Sequence, residues 1–322
     1  MKYTEKQLKR MASPISESEE EKCKNAIKMV RDAMKKIDYS DDGELIRTYA
    51  QESYSYALDL HKINSDKKIT LLVQGSYANR TNIPSDSDVD VAVILESTFT
   101  PKYRTGVNDS NYGFRDATFS ASELKDEVES ALKQHFGNSC VERHNKCIKV
   151  TGNTYRVDAD VVPSQRYRDY TNDYRNDANN YISGIQILAD SGERILNYPE
   201  QHIKNGIEKN KRTGYAFKKC VRIIKNLRED MIENGYSVSS KISSFGLESL
   251  LWNVSDSVYN RYSSLGFIFD EALIFLKDNA NNFSTYMEIN GIKKLFTDTS
   301  TQNDYANFVK DLWLFFEYTV KE

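Results

Sequence analysis

Gly75-Ser76 and, after eleven intervening residues, Asp88-Val89-Asp90 are the residues of this chain whose types and spacing best suit chemistry. On a strand, residues i and i+2 point to one face, so Asp88 and Asp90 would stand side by side while Val89 and Val91 anchor the strand in the core. Paired carboxylates on a rigid surface suit magnesium, which prefers carboxylate and phosphate oxygens in octahedral geometry. Gly75 permits close backbone approach to a phosphate, and Ser76 can offer its hydroxyl and a main-chain N–H at the start of the following turn or helix. The chemistry this set serves is nucleotidyl transfer, in which a hydroxyl displaces pyrophosphate from an α-phosphorus and two divalent cations manage the charge. Taken singly, a Gly-Ser turn and a solvated Asp-x-Asp strand face are ordinary features; their order on successive strands is what points to a site. A third carboxylate should lie on a neighbouring strand, and Tyr155–Pro163 offers Asp158 and Asp160 on one face. Asp160 is expected to serve the attacking hydroxyl, with Asp158 able to substitute or assist. Neither GxxxxGK[ST] nor GxGxxG occurs, so the commoner phosphate cradles are absent.

The elements that must hold these residues are legible in outline. Ser16 to Asp38 has helical apolar spacing at Ala26, Met29, Val30 and Met34, with acids first and lysines last, as the helix dipole favours. A second helical stretch is expected at about 43 to 62. The period then changes to that of strands at Ile69–Val73 and Val89–Leu95. A helix is expected over 121 to 136 and strands at Cys147–Val150 and Tyr155–Val162, the last closed by Pro163. Ser164 to about Lys211, rich in Asn, Asp, Tyr and Arg, reads as a functional surface insert or loosely structured segment. Helical spacing returns at Gly214–Glu233, Ser243–Val254, about Tyr262–Lys277 and about Asn303–Val320. The expectation is an α+β fold of two domains: residues 1–165 as a catalytic lobe with N-terminal helices and a small mixed sheet, and 166–322 as a mainly helical lobe completing the nucleotide pocket.

The length, 322 residues, exceeds what one core usually serves. A formal net charge of −3 argues against a long nucleic acid as partner, because phosphate neutralisation is where such affinity originates. Cys23, Cys140, Cys147 and Cys220 form no CxxC pair, and His135, Cys140, His144 and Cys147 fit no tetrahedral zinc spacing. A reducing, cytoplasmic location is expected. No leader-like apolar segment opens the sequence and no apolar run approaches the ~20 residues that span a bilayer.

With these residues in hand, the chain resembles the cGAS/DncV-like nucleotidyltransferases (CD-NTases) within the polymerase-β-like superfamily that also holds oligoadenylate synthase. The superfamily pattern of Gly-Ser, Asp-x-Asp and a later Asp is met by Gly75-Ser76, Asp88-Val89-Asp90 and Asp160. QGSYANRTNIPSDSDVDV and DADVVPS read like the bacterial antiphage members. In the helical lobe Lys218, Arg222 and Lys225 fall at i, i+4 and i+7, a basic face that would by itself be read as solvated. The resemblance places Lys225 against the donor triphosphate. In Ser243-Ser244-Phe245-Gly246 it gives Ser244 the triphosphate and Phe245 the donor base, while Ser243 and Ser244 would also serve as a helix cap. Phe245 stands where cGAS has Tyr, which keeps stacking and removes a hydroxyl. Asn197-Tyr198-Pro199 through Gly206 is like a segment of bacterial members, with Asn197 and His202 as candidates for base recognition and an Asn-rich turn as the plainer reading. The zinc ribbon with which cGAS grips DNA has no counterpart.

The resemblance implies a polymerase-β-like lobe, an oligoadenylate-synthase-like helical lobe, and template-independent synthesis of a cyclic di- or trinucleotide from nucleoside triphosphates. It also implies two Mg²⁺ ions, with Mn²⁺ as a substitute, a separate effector responding to the product in antiphage (CBASS) signalling, and accessory regulatory proteins. The alternative is another enzyme of the superfamily acting on a small molecule or an RNA end.

Overall fold

A computed structural model describes residues 2–41, 43, 46–48, 53–84 and 88–320. The chain divides into two compact units, one of Ser16–Ala78 and Ser87–Glu200, the other of Met1–Ile15, Asn79–Asp86 and Gln201–Glu322.

The first unit is built on a mixed sheet. Its strands run in the spatial order Arg194–Asn197, Ile182–Leu188, Ala159–Asp169, Val89–Lys102, Lys68–Gln74, Tyr56–Lys62 and Tyr39–Asp41. The central pair, Val89–Lys102 with Ala159–Asp169, is parallel, and the other neighbours in this order are antiparallel. A parallel pair buried on both faces should read as a nearly unbroken apolar run. Val89, Val91, Ala92, Val93, Ile94 and Leu95 are accordingly all buried. The helices Glu17–Lys35 and Ala121–Phe136 pack on each other and on this pair. Ser16 and Glu19 close the N-terminus of the first with a capping box.

The structure corrects several expectations. Residues 43–62 were expected to be helical, yet Ile46–Arg47 and Tyr56–Lys62 are strands, and residues 44, 45 and 49–52 lie outside the described part. In Tyr56–Lys62 the core takes Leu58 and Leu60 while Asp59 is exposed, a period of two that the neighbouring helical spacing obscured. The strand expected to close at Pro163 runs on to Asp169. On one side its partner Ile148–Val150 ends opposite Val161, and on the same sheet path Ile182–Leu188 begins pairing at Gln165. On that side Pro163 falls in a gap between partners, while on the other it is paired with Val93. The segment from 164 to 211 holds the rest of that strand, two more strands and the helix Pro199–Arg212. The sheet therefore continues to Asn197, and the first unit extends to Glu200 rather than ending at 165.

The second unit is helical. Phe217–Glu233, Ser244–Trp252, Leu265–Asp278 and Thr299–Phe315 enclose a core that includes Phe217, Ile224, Leu250, Phe269 and Phe308. The last helix ends at Phe315, short of the Val320 expected, and Glu317–Thr319 pairs in parallel with Lys2–Thr4. The N-terminal helix Glu5–Met11, assigned from sequence to the catalytic lobe, belongs here. Leu8 is buried in its core, and Glu5 accepts from the N–H groups of Leu265 and Gly266 at 3.1 and 3.0 Å. No described helix is long and apolar enough to cross a membrane.

Glu5 is thus the cap of the helix Leu265–Asp278. Glu5→Ala should lower stability by about 1 kcal/mol, the usual worth of an N-terminal cap. Urea unfolding checks this; an unchanged midpoint would show that the cap contributes nothing.

Candidate active site

Strand register brings the predicted acids together. Asp160 is paired with Asp90 on the central parallel strands, Asp90 with Gln74 on one side, and Asp160 with Lys149 on the other. Directly paired residues share a face, so Lys149, Asp160, Asp90 and Gln74 form one row across the sheet. Asp88 immediately precedes the strand. Its carboxyl is pushed above the usual range by burial and by the charges of Asp158 and Asp160, against the pull of Lys149. Asp158 is spoken for: it accepts from Gly152 N–H at 2.6 Å and pairs with Lys149 Nζ at 2.8 Å, which hold its carboxyl below the usual range despite burial. The same ammonium lies 3.4 Å from Asp88.

Gly75 follows Gln74 and has a positive φ of +72°. A Cβ there would overlap the carboxylate of Asp90, so glycine is required twice over, by conformation and by space. Ser76 sits one residue on, in the short helix Gly75–Asn79. Cys147 hydrogen-bonds to Asp160, and burial together with that carboxylate pushes the thiol up to about 12. Cys147 is therefore a neighbour of the acids, and His135 packs edge-on against Phe136. Among the described residues no three His, Cys, Asp or Glu side chains form a ready-made metal cage.

In the helical unit the three basic residues Lys218, Arg222 and Lys225 are all buried, Lys225 completely, which removes the solvated-face reading. Arg222 donates to the carbonyls of Ala12 and Arg80. Glu248, also fully buried, is the hub. It lies 3.3 Å from His202 Nε2 and accepts from Thr81 Oγ1 at 3.1 Å. Burial pushes its carboxyl up, but His202, Lys225 and Lys218 outweigh this and hold it below the usual range. His202 also meets Asn79 Nδ2 at 3.1 Å and takes the ring of Phe245 edge-on, with centroids 5.3 Å apart. Phe245 keeps 39% of its surface exposed. Ser243 caps the helix by accepting from Gly246 N–H, and Ser244 is its first residue. Asn197 ends its strand, paired with Ile185 in the sheet unit, and is half-buried.

A model of the cGAS/DncV-like nucleotidyltransferase C-terminal helical domain matches residues 204–317. A cyclic GMP-AMP synthase of Staphylococcus schleiferi is 43% identical over 99% of this chain and 98% of its own. The chain belongs to the CD-NTases, of the CBASS type. A cyclic dipyrimidine nucleotide synthase of Cecembia lonarensis is 36% identical over 98% of this chain and 99% of its own. The solved structure of a Rhodothermus marinus c-UMP-AMP synthase with Apcpp and Upnpp superposes with a TM-score of 0.74, 28% identity and 96% of both chains covered. The fold is thus the α+β nucleotidyltransferase fold with its helical partner domain, and this CD-NTase is a nucleotidyltransferase that synthesises a cyclic nucleotide.

Sequence reasoning about this CD-NTase missed Lys149, Cys147 and Glu248. Lys149 had a signal, since it stands between the core residues Ile148 and Val150 and so must face the other way, but its partners are set by register. Glu248 had none: it looks like one more helical acid.

Two outcomes follow from this geometry. Gly75→Ala must displace Asp90 and strain the turn, so nucleotidyl transfer should fall at least about a hundredfold, as for misplaced reacting groups generally; near-native turnover would refute the steric account. Glu248→Gln should cost about 3–5 kcal/mol at pH 7, the usual penalty for breaking a buried ion pair. Because the native carboxyl titrates below its unfolded counterpart, this contribution is complete above the unfolded value of about 4.3 and is lost as pH falls through the lower native value. Urea unfolding of both proteins from pH 7 to pH 3 should show the gap narrowing with acid; a gap independent of pH would contradict it.

Proposed function

We propose that Asp88, Asp90 and Asp160 hold two Mg²⁺ ions, for which Mn²⁺ can substitute, and that the chain joins nucleoside triphosphates into a cyclic di- or trinucleotide. The observation that carries this reading is the pairing of Asp90 with Asp160 on adjacent strands, with Gly75 packed against Asp90. Like charges directly opposite on a sheet are destabilising, and a divalent cation is the natural complement. Magnesium is commonly bound by one or two carboxylates with substrate phosphates filling the remaining positions, so an open row of acids fits it without a closed cage. The ions, when bound, neutralise the charge that develops on the transferring phosphoryl group.

The protein's own residues then have distinct tasks. Ser76, Lys225 and Ser244 take β- and γ-phosphate oxygens of the donor, and Phe245 stacks on its base. Asp160 faces the 2′- or 3′-hydroxyl of the second nucleotide. In-line attack expels pyrophosphate and leaves a linear dinucleotide, which turns over for the closing attack. Asn197 stands as a candidate for reading a base edge. The product signals to a separate effector in antiphage defence in the cytoplasm, under the influence of accessory regulatory proteins.

Purified protein given all four labelled NTPs with Mg²⁺, then phosphatase, should yield a phosphatase-resistant cyclic product; none, even with the genomic neighbours present, would end this reading. Asp88→Ala with Asp90→Ala should abolish product while the protein stays folded, since losing clustered like charges relieves repulsion once no metal binds; normal turnover would refute the assignment. Lys225→Ala should raise KM for the donor, and an unchanged KM for every NTP would remove its role.

A further inference from the structure

The carboxylate row contains one cation that the sequence did not announce. Lys149 is paired with Asp160 in register, and its ammonium stands 2.8 Å from Asp158 and 3.4 Å from Asp88. The two acids differ in how they are held. Asp158 also accepts from Gly152 N–H, so its position is fixed by the backbone of a turn. Asp88 precedes its strand, and its side chain is about half exposed. Lys149 is thus anchored at one end and has a longer, looser contact at the other.

We propose that Lys149 is a built-in stand-in for the metal: it screens Asp88 and its neighbours when no divalent cation is bound, and yields Asp88 when one binds while remaining on Asp158. This rests on the reading of Asp88, Asp90 and Asp160 as metal-holding residues. Its physical basis is that four carboxylates, those of Asp88, Asp90, Asp158 and Asp160, stand at or next to paired positions of two strands. Without a cation their repulsion would work against the pairing of the central strands. A fixed ammonium removes part of that cost. It also competes with an incoming cation for Asp88 and repels it, so the residue that protects the metal-free site weakens its affinity for metal.

The test uses Mn²⁺ alone, titrated into metal-stripped full-length protein and followed by the electron paramagnetic resonance signal of the free ion. Lys149→Gln should bind Mn²⁺ roughly tenfold more tightly than the native protein, the scale expected for removing one nearby charge from a partly exposed site. Lys149→Arg, which keeps the charge, should bind as the native protein does. In EDTA, Lys149→Gln should melt at a lower temperature than the native protein and gain more from added Mn²⁺. If Lys149→Gln does not fold, Lys149→Met serves the same comparison. Equal or weaker Mn²⁺ binding by the neutral variant would overturn the stand-in role. A native protein that binds no Mn²⁺, or binds it equally well with Asp90→Asn, would instead overturn the metal reading beneath it.

Discussion

Everything in the sheet unit answers to one constraint: Asp90 and Asp160 occupy paired positions on adjacent parallel strands, so two carboxylates stand opposite each other at the rim of a buried sheet. Such a pairing disfavours the fold unless positive charge arrives. The flanking residues resist the repulsion by burial: Val89, Val91 and Val161 are inaccessible to water and fix both strands in the core. The adjoining turn must be glycine because Asp90 fills the space a side chain would need. The acid beside them, Asp158, is turned over to Lys149 and a backbone N–H. The row is a surface on which negative charge is held close.

The helical unit solves the converse problem. It buries cations, and Glu248 is the carboxylate around which they are arranged. Because Glu248 and Lys225 are shielded from water, their attraction is less screened than it would be at the surface, and His202 Nε2 lies 3.3 Å from the same carboxylate. Phe245 rests its edge on His202, so the orientation of the exposed ring depends on the same hub. Membership of the CD-NTases accounts for the two kinds of unit occurring in one chain.

Residues whose chemistry is local were legible in the sequence. Gly75-Ser76, Asp88-x-Asp90 and Asp160 stand out because alternation of valines and aspartates specifies both strand and face, and the helices beginning at Glu17, Ala121, Phe217 and Ser244 show their apolar spacing directly. What the sequence concealed was whatever depends on register between distant segments. Lys149 and Asp88 are 61 positions apart, and Thr81 and Glu248 are 167 apart. The spacing predicts helix over Tyr56–Lys62 and a surface insert or loosely structured segment after Pro163, where the chain forms strands. In both places the short alternation of a strand lies among polar and aromatic residues, and pairing with a neighbour decides the outcome.

The central claim is that the cluster of Asp88, Asp90 and Asp160 is where divalent cations meet the nucleotide. Anomalous diffraction from crystals soaked with Mn²⁺ and a non-hydrolysable triphosphate tests it most directly. The account predicts anomalous peaks within bonding distance of carboxylate oxygens of Asp90 and Asp160, with Lys149 withdrawn from Asp88. Manganese bound elsewhere, with Lys149 still against Asp88 and the nucleotide away from these acids, would contradict it.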